Sequence, residues 1–69
     1  MKYFVANNDL IPLHCQPANG YTEIQAVERA QREARECSKM FGVSINETVK
    51  WFHIMDDKMH YVKQLDNAI

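Results

Sequence analysis

The sequence is poor in several features at once, and each shortage excludes a class of protein. It holds two cysteines in 69 residues, Cys15 and Cys37, too few for the disulfide framework of a small secreted fold. His14, Cys15, Cys37, His53 and His60 form no C-x-x-C or H-x-x-x-H pair, the close spacing that zinc sites show. No metal and no cofactor is therefore expected. An excess of one charge is also missing: eight Lys and Arg face nine Asp and Glu, a formal net charge of −1. Electrostatics thus gives no reason to expect nucleic acid or an anionic membrane as the main partner. No apolar run approaches the roughly 18 residues of a membrane-spanning helix. The opening, Met1 to Asn7, turns polar too soon for a signal peptide. The expected location is the cytoplasm, with both thiols reduced.

What is present is ordinary for a folded domain, at 46% hydrophobic and 25% charged residues, and argues against disorder. The expected organisation is one domain over residues 1–69. A chain this short buries only roughly 60% of its unfolded surface, so its core is thin.

Lys2 to Asn7 reads as a short strand, because Tyr3, Phe4 and Val5 suit a pleated surface and Asn7-Asn8-Asp9 ends it. Residues 8–21 read as an ordered loop with a brief extended stretch near Leu13 to Gln16. Pro12 places that stretch at a sheet edge, and Asn19-Gly20 is a turn signal. A helix follows from Glu23 to Phe41. Thr22 is its N-cap and Gln25 completes a capping box; Gly42 stands at C′ and Lys39 in the last turn. Its apolar stripe is Ile24, Val27, Ala30, Ala34, Cys37 and Phe41. Ala30 and Ala34 would let a sheet approach, while Ile24, Val27, Met40 and Phe41 would grip at the ends. Glu28–Arg32, Arg29–Glu33 and Arg32–Glu36 are spaced for ion pairs on the outer face.

Thr48 to Gln64 reads as an antiparallel hairpin, its arms Thr48–Met55 and Met59–Gln64 joined at Asp56-Asp57-Lys58. The turn lacks the glycine of the tightest hairpins, which leaves the register open by one residue. On alternation, Val49, Trp51, His53 and Met55 share one face of the first arm, and Lys50, Phe52 and Ile54 the other. Both faces are apolar and one helix covers only one of them. The other is expected to meet a partner or a second copy. The fold class is α+β, β-α-β-β, a small antiparallel sheet with one long helix on one face.

No catalytic motif stands out. Cys15 beside His14 has the residue types of an activated nucleophile, but adjacency in sequence is not geometry, and so small a core leaves little room for a substrate pocket. The expectation is a non-enzyme. Arg29, Arg32, Arg35 and Lys39 on the helix and Lys50, Lys58 and Lys63 on the hairpin suggest nucleic acid, yet Glu28, Glu33 and Glu36 interleave and make a solvated face. Protein binding fits better. Trp51, Phe52 and Tyr61 are residue types that dominate interfaces, and Met55 and Met59 add adaptable apolar contact. The expected contact set is Trp51, Phe52, His53, Tyr61, Lys50 and Lys63. If close across the hairpin, His53 and His60 would make binding pH-sensitive; the reading preferred for both is that of polar surface residues.

A strand near Met1, a helix rich in alanine and alternating charge (Gln25-Ala26-Val27-Glu28-Arg29-Ala30-Gln31-Arg32-Glu33-Ala34) and a Trp-bearing hairpin resemble small phage and prophage accessory proteins. Some anti-CRISPR proteins share this size and element order. The resemblance covers most of the chain and is one of architecture, so it transfers no functional residue. It implies a phage-encoded inhibitor that binds a host protein or protein–nucleic-acid complex of a defence system, of CRISPR type, and blocks it sterically. The alternative is a homodimeric small regulator, or a nucleic-acid binder using the aromatic hairpin face.

Overall fold

Thr22 fixes where the long helix begins. In the computed structural model, which describes residues 2–58 and 60–65 (Tyr61 by its backbone alone), the Thr22 hydroxyl accepts from the Gln25 N–H. The Gln25 side chain accepts in return from the Thr22 N–H, closing the capping box. Helix α1 runs Glu23–Phe41 and ends where Gly42 turns left-handed at φ 66°. Glycine reaches that conformation without steric cost.

The element order is β1 (Tyr3–Ala6), α1, α2 (Ile45–Thr48), a 3-10 turn (Val49–Trp51), β2 (His53–Asp56) and β3 (Tyr61–Gln64). The strands form an antiparallel sheet in the order β1-β2-β3, the expected α+β fold. The core between sheet and helix holds Val5, Ala26, Ala30, Ala34, Val49, Phe52, Ile54 and Leu65. Completely burying Val5 and Ile54 contributes about 1.5–3 kcal/mol each.

The stripe of α1 differs from the expectation. Its buried residues are Ala26, Ala30 and Ala34, whereas Ile24, Met40 and Phe41 are 73%, 74% and 61% exposed. Length is one reason. Nineteen helical residues span about 28 Å, but four-residue strands span about 13 Å. The sheet covers the middle of the helix and leaves its ends bare. Ile24 also stands about 100° around the helix from the line of Ala30 and Ala34.

The first hairpin arm is the main correction. Residues 48–51 are not strand: Ser44 caps α2 by accepting from the Asn46 N–H, and the chain continues helically through Trp51. This segment fills the space beneath the second half of α1. The Thr48 hydroxyl, completely buried, reaches the carbonyl oxygens of Ala34 and Ile45. Extended structure begins only at Phe52. Phe52 and Ile54 thus face α1, and Val49 joins them because a helical turn, not a pleat, carries it there.

The hairpin closes at Asp56-Asp57-Lys58 as expected, with the Asp56 N–H donating to the His60 carbonyl at 3.0 Å. Met55 pairs with Tyr61 but Ile54 pairs with Lys63, so Val62 is the extra residue of a β-bulge. Met59 lies outside the described residues.

The outer edge of β1 is covered by the chain's own loop. Tyr3 exchanges backbone hydrogen bonds with Tyr21 at 2.9 and 2.8 Å. The Gln16 carboxamide imitates a strand peptide, accepting from the Val5 N–H at 2.7 Å and donating to the Val5 carbonyl at 3.0 Å. The Leu13 N–H donates to the same carbonyl, and the Asn7 N–H to Ile11. Pro12 bridges Ala6 at this edge, as its missing N–H requires. An edge so occupied cannot take up a foreign strand.

Candidate functional site

The residues expected to bind a partner occupy different environments. Phe52 is 6% exposed and serves the core. Trp51 is half-buried at the core's margin. His53 is half-buried on β2, its Nε2 3.3 Å from the Asn8 side-chain oxygen. Lys50 is exposed, with its ammonium 3.9 Å from Glu47. Lys63 reaches across to Glu23 at the start of α1, at 3.7 Å. Tyr61 stands opposite Met55 on β3, and its side chain lies outside the described part. The structure therefore does not gather Trp51, Phe52, His53, Lys50 and Lys63 on one surface.

The sheet face turned away from α1 is less open than alternation suggested. Ala6 and Met55 are 0% and 1% exposed within the single chain. Phe4, the cross-strand partner of Met55, approaches the loop at Gly20, where a Cβ would meet its ring at 3.2 Å.

Of the six large exposed apolar side chains among the described residues, Leu10, Ile11 and Ile24 lie elsewhere and three stand near the C-terminal end of α1. Met40 and Phe41 end the helix, and Ile45, 39% exposed, begins α2. The Phe41 ring meets Trp51 edge-on, with centroids 6.0 Å apart, an arrangement aromatic quadrupoles favour. Sequence reasoning assigned Met40 and Phe41 to the core because it took the helix as covered along its length. Ile45 was passed over, although Ser44-x-x-Glu47 is a helix-start pattern that would have placed it on a helix.

Arg29 organises the other side of α1. Its Nε donates to Glu33 at 2.8 Å, the expected i,i+4 pair. Its Nη atoms donate to the Tyr21 hydroxyl at 3.0 Å and to the carbonyls of Cys15 and His14 at 3.1 and 3.2 Å. One guanidinium thus ties the 8–21 loop to the helix. Burial alone would lower its pKa, but the hydrogen bonds to Glu33 and Tyr21 outweigh that, and the net shift is upward.

The cysteines stand in separate places, Cys15 exposed on the loop and Cys37 half-buried on α1. Burial, with Glu33 and Glu36 nearby, pushes the Cys37 thiol up, which keeps it protonated and weakly nucleophilic. Among the described residues no three His, Cys, Asp or Glu side chains are grouped to hold a metal ion. No described helix is long and apolar enough to cross a membrane.

No protein-family model, curated protein or solved structure matches this chain.

Proposed function

We propose that this chain is a non-enzymatic protein-binding module whose principal contact is the apolar end of α1, formed by Met40, Phe41 and Ile45 beside Trp51. The supporting observation is the exposure of Phe41 and Met40, 61% and 74%, at the point where the sheet no longer covers the helix. Aromatic residues and methionine are enriched at interfaces. A methionine beside an aromatic pair gives apolar contact that adapts to the partner's shape. Lys50, paired with Glu47 at the rim of this region, would act on rate and specificity more than on affinity.

Affinity capture from a bacterial lysate tests this reading, comparing the parent chain with a Met40→Ser, Phe41→Ser variant by quantitative mass spectrometry. Specific proteins should be enriched by the parent and lost with the variant, which should stay folded, its unfolding midpoint lowered only by loss of the Phe41–Trp51 contact. Enrichment that survives both substitutions, or none at all, would refute the reading. Light scattering over a concentration series separates a second copy of the chain from a different partner as the occupant. Inhibition of a host defence complex rests on the architectural resemblance alone. A CRISPR-interference assay with and without the chain tests it directly.

A further inference from the structure

Residues 8–19 lie over the outer edge of β1 and are held there mainly by polar contacts. None of them is buried; Leu10 and Ile11 are exposed, and Leu13 packs against the core from its margin. The segment grips Val5 through the Leu13 N–H and the Gln16 carboxamide. A side-chain amide used in place of a strand peptide must be immobilised to make such bonds, at a cost in side-chain entropy. Leu10 and Cys15 both stand at φ 61°, a left-handed conformation that is costly for any residue with a Cβ. The other fastening is Arg29, a side chain 13% exposed whose Nη atoms donate to the His14 and Cys15 carbonyls.

A segment with little buried apolar area and exposed hydrogen bonds belongs to the low end of local stability. Its surroundings are firmer. Tyr21 exchanges two backbone hydrogen bonds with Tyr3, and Gly20 lies so close to β1 that a Cβ would fall 2.9 Å from the Lys2 Cβ. β1 pairs with β2 over four residues, and Val5 and Ala6 are completely buried. The edge beneath the segment can thus be bared without taking the sheet apart. We propose that residues 8–19 form a strap that opens as a unit while helix and sheet stay folded, with Arg29 as its latch. Opening leaves the N–H and carbonyl of Val5 as bare edge groups, the kind to which an extended peptide adds. The inference goes beyond the protein-binding reading and does not depend on it.

The test is native-state amide hydrogen exchange of the full chain by NMR, in low concentrations of urea. The Val5 and Leu13 amides report on the strap. Met55 reports on the sheet, because Tyr3 and Val5 direct their peptide groups outward and alternation turns those of Phe4, its cross-strand partner, toward β2. Val5 and Leu13 should be less protected than Met55, to a common degree, and with a smaller urea dependence, since little surface is exposed. Arg29→Met, which keeps the stem and removes the donors, should cut their protection together by about three- to tenfold. Thr48→Val breaks a bond that is intact whether the strap is open or closed. It should lower the protection of Met55 by about five- to thirtyfold and leave Val5 and Leu13 unchanged. Equal protection of Val5, Leu13 and Met55 with one urea slope, a fall at all three with Thr48→Val, or indifference of Val5 and Leu13 to Arg29→Met would overturn the proposal.

Discussion

The Thr48 hydroxyl lies 2.9 Å from the carbonyl oxygen of Ala34, in the middle of α1, and 3.1 Å from that of Ile45. One hydrogen is shared between two carbonyls in a site without water access, since Thr48 is completely buried. This link fastens α2 to the long helix. Thr48→Val keeps the shape, removes the donor and should cost about 1–2 kcal/mol, read as a lower urea midpoint with an unchanged slope. An unchanged midpoint would mean that apolar packing alone holds α2.

The closeness of helix and sheet depends on alanine. Ala30 is completely buried, so Ala30→Leu should overpack the interface and cost about 1–3 kcal/mol. Ile24→Ala, at a larger but 73% exposed residue, should change stability by less than about 0.5 kcal/mol. Thermal unfolding of both variants checks whether the middle of the helix, and not its ends, carries the packing.

The two glycines separate conformation from contact. Gly42 has φ +66° with open space where a Cβ would stand, so Gly42→Ala should cost about 1–2 kcal/mol from backbone strain alone. Gly20 has φ +77°, and its Cβ would also fall 2.9 Å from the Lys2 Cβ and 3.2 Å from the Tyr3 carbonyl oxygen. Neither is the far end of a flexible chain. Gly20→Ala should therefore be the costlier substitution in chemical denaturation and should loosen the Tyr3–Tyr21 hydrogen bonds, seen as faster amide exchange at Tyr3.

Asp56 makes the hairpin turn sensitive to acid. Its carboxylate accepts from the N–H groups of His60 and Lys58, both at 2.9 Å, which holds its pKa below the usual carboxylate range. A depressed folded pKa gives stability that is present above the unfolded value, about 3.9, and lost as pH falls through the folded one. Asp56→Asn keeps an oxygen acceptor without the titrating charge. Urea midpoints from about pH 7 to about pH 3 should fall less steeply for the variant in the acid limb. Parallel curves would show that the turn's hydrogen bonds do not depend on the charge.

Several elements were legible in the sequence because short-range chemistry dictates them. Thr22, Gln25 and Gly42 mark the ends of α1 through hydrogen bonds and backbone freedom that depend only on neighbouring residues. The hairpin turn at Asp56-Asp57-Lys58 and the place of Pro12 at a sheet edge are of the same kind. Thr48-Val49 was misread as strand because β-branched residues suit a pleated surface, and the Ser44-x-x-Glu47 start signal competed with that preference.

Local chemistry alone therefore settled the α+β class and the limits of the long helix, since caps and turns act over three or four residues. Tertiary structure decided which apolar residues are inside. Phe52 and Met55 became buried, and Met40 and Phe41 exposed, because short strands cover only part of a long helix and the 44–52 segment folds beneath its second half. It also decided that Arg29 is tied to the loop while Arg32, three residues on, pairs with neither Glu28 nor Glu36. Burial and pairing depend on where elements end relative to one another, and spacing along the chain carries no measure of that.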